Sequence, residues 1–174
     1  STLSAMVVKS RVAHIFHIGD SRVYRLRNND FEQITHDHSA RVSKDSTYLT
    51  RAMGIDLMLD VDYYFEDVEV GDIFFLSTDG VHDFIADKEL KRMVSEAGAS
   101  EIYDFDPLCH KLVDLALERG SDDNLSCQIV RIDSIPCPNA EDAHVKLSEL
   151  PFPPAVSPGM VVDNFQIMSE LHAS

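Results

Sequence analysis

One short strand, together with the acidic turn after it, constrains the fold of this chain most. Residues 73–76 (Ile-Phe-Phe-Leu) are apolar and bounded by turn residues, which is typical of a strand buried on both faces. The strand ends at Ser77-Thr78-Asp79-Gly80, where Gly80 is predicted to allow a tight turn beneath the carboxylate. Asp83 follows four residues after Asp79. Because an Asp-Gly after a strand is usually an ordinary turn, this feature alone does not establish a site.

The pairing of a strand with an acidic turn occurs twice more. Residues 12–18 are strand-like and end at residues 19–22 (Gly-Asp-Ser-Arg). Residues 119–124 (Arg-Gly-Ser-Asp-Asp-Asn) precede the apolar run 125–132. Three such turns can converge at one end of a sheet. Carboxylates without Cys, and without paired His at ligand spacing, suit Mg²⁺ or Mn²⁺ better than zinc.

Composition excludes several classes of partner. A net charge of −15 argues against nucleic acid or an anionic membrane, but not against a phosphoprotein, because metal ions would reverse the local potential. The sequence has no signal peptide and no apolar run long enough to span a bilayer. Cys109, Cys127 and Cys137 are irregularly spaced, which is typical of reduced thiols. We therefore expect a cytoplasmic protein.

The order of elements predicts an α+β fold. Residues 4–34 form successive antiparallel strands, in which 12–18 is expected to pair with 22–27, and residues 62–69 form a later strand. Two helices are predicted after the central strand, one with Asp87 as N-cap and Gly98 as stop. The other has Asp106 as N-cap and ends at Gly120. Their aliphatic stripes predict helices packed on sheet faces.

The His-rich segment 35–39 (Thr-His-Asp-His-Ser) has two interpretations. It could be a metal cluster, or a polar helix start with Thr35 or Asp37 as N-cap. The second interpretation is favoured. His14 and His17 are predicted to be partly buried strand residues and not ligands.

Four motifs stand in one order along residues 1–133. They are Gly-Asp-Ser-Arg-Val-Tyr at 19–24, Leu-Thr-Arg-Ala-Met-Gly at 49–54, Ser-Thr-Asp-Gly at 77–80 and Gly-Ser-Asp-Asp-Asn at 120–124. This series resembles the metal-dependent serine/threonine protein phosphatases (the PPM family, protein phosphatase type 2C), particularly the bacterial branch. The resemblance implies a β-sandwich flanked by helices, in four layers (αββα), incomplete at the N-terminus.

The resemblance also implies a reaction and a ligand set. The reaction is metal-dependent hydrolysis of phosphoserine and phosphothreonine in proteins, with Mg²⁺ or Mn²⁺. Asp79 and Asp123 would be direct ligands of the first metal, and Asp20 and Asp83 would serve a weaker position. Other motif residues have other expected roles: Ser121 and Asn124 shape a turn, Asp122 is not in the matching position, and Arg22 forms a structural ion pair.

The chain departs from the family pattern in two places. The family's phosphate-binding Arg, its acidic pair and its bridging Asp-Gly motif lie upstream of the matching region and do not occur here. We therefore expect an N-terminally truncated fragment with weak or no activity of its own. The family's flap is shortened to residues 40–48. The alternative is a non-enzymatic regulatory pseudophosphatase or binding module, but the retained aspartates favour an enzyme.

Composition changes after residue 133. Six of the seven prolines fall within 134–158, which predicts a linker. Residues 159–174 resemble the start of a bacterial serine/threonine kinase domain; a plain tail is the alternative. A truncated sandwich would leave an open sheet edge and an uncovered apolar face, so we expect a homo-oligomer or a tail that folds back.

Overall fold

The computed structural model describes residues 1–43, 46–55, 59–99, 104–136, 161–162, 165–166 and 168. The chain divides into two compact units, residues 1–136 and 137–174. The strands and helices of the first unit follow in chain order: β1 Leu3–Lys9, β2 Val12–Ile18, β3 Arg22–Arg27, β4 Asp30–Gln33, β5 Ser39–Ser43, β6 Ser46–Leu49, β7 Asp62–Asp67, β8 Ile73–Ser77, α1 Asp79–His82, α2 Asp87–Gly98, α3 Asp106–Glu118 and β9 Cys127–Arg131.

The strands of the first unit form two larger antiparallel sheets and one hairpin. The three-stranded sheet has the order β1-β2-β7, the four-stranded sheet has the order β4-β3-β8-β9, and β5 pairs with β6. The predicted pairing of 12–18 with 22–27 is wrong, because β2 and β3 lie in different sheets. Gly19 adopts a φ of +115°, which redirects the chain between the sheets.

A core of apolar side chains fills the space between the two sheets. Ala13 and Ile15 of β2 contact Val23 of β3 and Phe74 of β8 there, and all four are fully buried. This is the interior of the predicted β-sandwich, which the structure confirms.

A second core separates the four-stranded sheet from the helices. Phe75 of β8 packs there against Leu90 of α2 and Leu112 of α3. Because Phe74 and Phe75 point to opposite faces, β8 is buried on both, as its apolar run predicts. The two sheets and these helices form three of the four predicted layers.

The helix starts differ from the prediction by one residue. Asp87 and Asp106 are the first helical residues, and the N-caps are Ala86 and Phe105, which make no side-chain cap. Both acidic side chains still lie in a first turn, where they complement the helix dipole. Gly120, with a φ of +91°, follows the end of α3 as expected.

The outer face of the three-stranded sheet carries exposed apolar side chains. Val7, Phe16, Tyr63 and Phe65 are between 41% and 60% exposed, and Tyr63 contacts the rings of its neighbours. This is the face on which the fourth layer of the predicted architecture would lie. Among the described residues, no helix has the length and apolar character needed to cross a bilayer.

The second unit contains one small ladder among its described residues. Strand β10 (Val161–Val162) pairs antiparallel with β11 (Phe165–Gln166), where the sequence predicts a single alternating segment. The Pro-rich linker lies outside the described residues after Pro136. The kinase start remains a prediction.

Candidate active site

The central acidic turn is built on the first helical turn after β8. Asp79 begins α1, and the Asp83 N–H donates to the Asp79 carbonyl at 3.0 Å. Residues four apart on a helix lie on one side, so both carboxylates face the same region. The predicted tight turn at Gly80 is wrong, because Gly80 is helical. A Cβ there would lie 2.7 Å from the Asn124 carbonyl oxygen, so glycine is required by close packing.

The turn that carries Asp123 packs directly against this helical turn. The Thr78 hydroxyl donates to the Asn124 carbonyl at 2.6 Å, and the Ser121 hydroxyl donates to the Gly80 carbonyl at 2.8 Å. Ser121 is buried, so its expected turn-shaping role is confirmed. These bonds hold residues 121–124 beside Asp79.

A cavity of about 510 Å³ lies in front of α1. Its described lining consists of Asp20, Arg22, Asp37, Ser39, Tyr48, Leu49, Asp79, His82 and Asp83. The structure therefore brings Asp20, Asp79 and Asp83 together, and Asp123 lies on the adjoining turn, outside this lining. The β5–β6 hairpin, in the place of the shortened flap, contributes Ser39, Tyr48 and Leu49.

The carboxylates of this cavity are crowded. Burial raises the pKa of Asp20, and the negative charges of Asp79, Asp37 and Asp83 raise it further. Asp20 therefore holds its negative charge at a cost in free energy. A bound cation would relieve that cost.

Arg22 is paired inside the cavity. Its Nε and Nη2 donate to both oxygens of Asp37 at 2.9, 3.1 and 2.6 Å, which confirms the predicted structural ion pair. Although burial opposes ionisation of Asp37, hydrogen bonds from Arg22 hold its pKa below the ordinary value.

The sequence predicts that segment 35–39 starts a helix, and that prediction is wrong. The Thr35 hydroxyl instead accepts a hydrogen bond from the Val23 N–H at 3.0 Å, and β5 begins at Ser39. Asp37 is thus a cavity residue that the sequence interpretation missed.

His82 is the second cavity residue that the sequence interpretation missed. Its Nδ1 lies 3.0 Å from the Ser77 hydroxyl, and burial, followed by the charge of Arg22, lowers its pKa to about 4. His82 is therefore neutral at pH 7. The sequence contained no signal for this beyond its position next to Asp83.

The donors around the cavity fit a divalent cation in chemistry. The four candidate ligands Asp20, Asp79, Asp83 and Asp123 all offer carboxylate oxygens, which hard cations prefer, and the first three line one cavity. In the described part of the chain, no three His, Cys, Asp or Glu side chains are already close enough together to hold a metal ion, although three carboxylates line this cavity. The residues present thus fit Mg²⁺ or Mn²⁺ in type, with an open arrangement.

Known proteins are similar to this chain in sequence and in fold. The family model for protein phosphatase 2C matches residues 1–129. A serine/threonine phosphatase, stp, of Listeria welshimeri is 28% identical over 144 residues, which cover 74% of this chain and 54% of the relative. The chain thus spans about half the length of the curated relatives that it matches.

Two solved structures extend the comparison. PppA, described as a key regulatory component of T6SS in Pseudomonas aeruginosa, superposes with a TM-score of 0.65 and 31% identity, covering 75% of this chain and 56% of that one. The catalytic domain of the phosphatase PstP, solved in complex with two manganese ions, has a TM-score of 0.58 and 25% identity, covering 74% and 56%. On the match over residues 1–129, together with this fold, the chain belongs to the protein phosphatase 2C family.

Proposed function

We propose that the protein containing this chain hydrolyses phosphoserine and phosphothreonine in phosphoproteins, with Mg²⁺ or Mn²⁺ as cofactor. The observation that carries the proposal is the convergence of Asp20, Asp79 and Asp83 on one cavity in a chain of this family. Phosphate-ester hydrolysis needs a nucleophile near neutral pH and positive charge around the phosphoryl oxygens. A bound divalent cation supplies that charge and acidifies a water nucleophile.

The proposed ligands divide into two pairs. Asp79 and Asp123 would hold the first metal directly, and Asp20 and Asp83 would serve a weaker position. The hydrogen bonds from Thr78 and Ser121 support the first pair, because they tie the Asp123 turn to the helical turn of Asp79. The shared cavity and the raised pKa of Asp20 support the second pair.

Arg22 and His82 also line the cavity, and neither is proposed as a general acid or base. Arg22 presents a guanidinium to the cavity while Asp37 fixes its plane, so it can orient a phosphate without adding net charge. His82 is neutral at pH 7 and contacts Ser77, so it is not in the imidazolium form that could act as a general acid on a leaving group.

The metal proposal is tested in the full-length parent protein. Asp79→Asn and Asp123→Asn are each expected to lower Mn²⁺-dependent phosphopeptide hydrolysis by orders of magnitude, with the metal-free melting temperature nearly unchanged. Asp122→Asn is the matched control, because Asp122 is the adjacent exposed carboxylate and is not a proposed ligand. Near-normal turnover by Asp79→Asn would contradict the assignment.

The open arrangement of carboxylates favours an alternative, a non-enzymatic binding module of the same family. It predicts a parent protein that binds phosphopeptides without hydrolysing them at any Mg²⁺ or Mn²⁺ concentration. For residues 1–174 alone, the enzyme proposal predicts slow or no hydrolysis of p-nitrophenyl phosphate, because affinity depends on ligand number and geometry. Robust manganese-dependent turnover by this chain would contradict that expectation.

Three further proposals concern the oligomeric state, an additional domain and the cellular location of the protein. A homo-oligomer is supported by the exposed apolar face around Phe16, Tyr63 and Phe65, since such surface is seldom left in water. A kinase domain in the same protein rests on the pattern of residues 159–174, and a Gly-rich phosphate loop encoded downstream would support it. A cytoplasmic location is supported by the free thiols of Cys109 and Cys127.

A further inference from the structure

Gly19 and His38 have no role in the proposed chemistry and are not among the residues that line the cavity, but they are bonded to each other. Gly19 and His38 are joined by a reciprocal pair of hydrogen bonds: the His38 N–H donates to the Gly19 carbonyl at 2.7 Å, and the Gly19 N–H donates to His38 Nδ1 at 3.1 Å. Both residues are buried. Gly19 immediately precedes Asp20, so whatever fixes Gly19 also fixes the start of the acidic turn.

The imidazole of His38 is itself held on its other side. His38 Nε2 lies 2.9 Å from a carboxylate oxygen of Asp62. Since Nδ1 accepts the Gly19 N–H, the proton of the neutral ring is on Nε2 and is donated to Asp62. Asp62 also accepts from Arg51 at 2.7 and 3.3 Å and from the Tyr64 hydroxyl at 3.0 Å.

A second buried histidine closes the remaining side. The rings of His17 and His38 lie 4.7 Å apart, and His17 is engaged by the Ser4 hydroxyl at 2.8 Å and the His36 carbonyl at 3.1 Å. His17 is fully buried, although the sequence predicts only partial burial. Its two hydrogen bonds, the ring of His17 and its burial together restrict the orientation of the His38 ring.

The backbone conformation that this network supports has no room for a side chain at residue 19. Gly19 has a φ of +115°, which side-chain-bearing residues rarely adopt, and Thr2 occupies the space where a Cβ would lie, at 2.4 Å. Because Gly19 is buried, both its N–H and its C=O need hydrogen-bond partners. His38 supplies both.

We propose that His38 is a positioning residue for Asp20: held by Asp62, its Nδ1 fixes the Gly19 backbone so that the Asp20 carboxylate stays in the cavity with Asp79 and Asp83. The proposal rests on the proposed metal site. The proposal also gives a role to Arg51 of the 49–54 motif, because Arg51 orients Asp62, which in turn holds His38. Supporting groups of this kind around metal sites typically change metal affinity about 10–100-fold when removed.

Two isosteres separate the two sides of the imidazole. In His38→Asn, the amide oxygen lies where Nδ1 lies and can accept the Gly19 N–H. In His38→Gln, the amide reaches toward Asp62 but leaves Gly19 without its acceptor. Mn²⁺ is titrated into residues 1–174 and the free ion is measured by electron paramagnetic resonance. His38→Gln is expected to weaken Mn²⁺ binding about tenfold, and His38→Asn less than about twofold.

A double variant tests whether His38 acts through Asp20. If it does, adding His38→Gln to Asp20→Asn produces no further loss of Mn²⁺ affinity; a role in general stability predicts the same loss in both backgrounds. Equal Mn²⁺ affinity in His38→Gln and the wild type overturns the positioning role and leaves the metal site standing. A wild-type chain of residues 1–174 that binds no Mn²⁺ overturns the positioning role proposed for this chain, whereas the metal site is judged separately by the Asp79→Asn and Asp123→Asn variants of the full-length parent.

The Gly19 amide provides a readout that does not depend on metal. Its hydrogen exchange, measured by NMR, is expected to accelerate at least about tenfold in His38→Gln and to stay near the wild-type rate in His38→Asn. The Asn variant also controls for folding, because both substitutions remove the same buried ring. Unchanged exchange at Gly19 in a folded His38→Gln variant contradicts the proposal directly.

Discussion

Gly80→Ala tests whether the Asp79 and Asp123 turns depend on close backbone packing. The new methyl would lie 2.7 Å from the Asn124 carbonyl oxygen and 3.2 Å from its carbon, inside the optimum of about 3.5–4.0 Å. The Asn124 carbonyl cannot retreat freely, because the Thr78 hydroxyl holds it at 2.6 Å. The substitution must therefore move one of the two turns.

The expected change in the free energy of unfolding is the balance of one gain and two costs. Alanine in place of a helical glycine gains about 0.5–1 kcal/mol from lower unfolded-state entropy. Overpacking against fixed backbone costs about 1–3 kcal/mol, and weakening the Thr78–Asn124 hydrogen bond costs about 0.5–1.5 kcal/mol more. We expect a net loss of about 1–3 kcal/mol in the free energy of unfolding, measured by urea denaturation of the metal-free chain.

Gly98→Ala is the matched control, because Gly98 is also helical. A Cβ there would meet only the flexible end of Ile73, with Cδ1 at 2.4 Å and the next atom at 3.9 Å. We expect its free energy of unfolding to stay within about 1 kcal/mol of the wild type. A Gly80→Ala variant as stable as the wild type would refute the packing argument, and so would equal losses in both variants.

Further predictions follow from the electrostatics. Burial and neighbouring carboxylates raise the pKa of Asp20 above its ordinary value of 3.8. Its negative charge therefore destabilises the fold when the pH is above the folded-state pKa. Well below pH 3.8 the carboxyl is protonated in both the folded and the unfolded state, and the effect disappears. Asp20→Asn should therefore raise the urea midpoint of the metal-free chain at pH 7, and this gain should vanish near about pH 3. Asp37→Asn should act oppositely, lowering the free energy of unfolding at pH 7 by about 1–3 kcal/mol, because Arg22 loses a charged partner. That loss should shrink as pH falls through the depressed folded pKa of Asp37; a pH-independent difference would contradict the assignment. Burial and the Cys109 thiol raise the pKa of Cys127 to about 12, so alkylation at pH 8, followed by peptide mass spectrometry, should be far slower in the native than in the unfolded chain. Sedimentation equilibrium should show a mass above the monomer at micromolar concentrations, and a monomeric mass throughout would contradict the homo-oligomer.

Local patterns predicted the parts of the structure that depend on short-range order. The apolar run 73–76 predicts a strand buried on both faces, and β8 is that strand because a core lies on each side of it. The aliphatic stripes predict the buried faces of α2 and α3 for the same reason. Asp20 and Asp79 were predicted to lie together because each follows a strand, and both line the cavity.

The errors fall where distant residues decide the outcome. Alternation in 12–18 and 22–27 favours two strands but does not say which sheet each one joins, and the turn at Gly19 separates them. A polar segment such as 35–39 has the composition of a helix start, but in the structure Asp37 forms an ion pair with Arg22 of β3. Gly80 after an aspartate suggests a turn, whereas its true constraint is the carbonyl of Asn124. In each case the deciding partner is distant in sequence.

The charge of the cavity bears on how the proposed enzyme would bind a phosphorylated side chain. Its described lining carries four carboxylates against the guanidinium of Arg22, a net charge of −3, and His82 is neutral at pH 7. Because Asp37 already neutralises Arg22, a phosphoryl dianion entering this space meets repulsion from Asp20, Asp79 and Asp83. One divalent cation would leave the lining negative, at about −1, and two would bring it to about +1, or to about neutral when the charge of Asp123 on the adjoining turn is included. In the proposed enzyme, repulsion of a phosphorylated side chain would therefore be removed only when a second cation is bound, and Asp20 and Asp83 would then matter for substrate binding as well as Asp79 and Asp123.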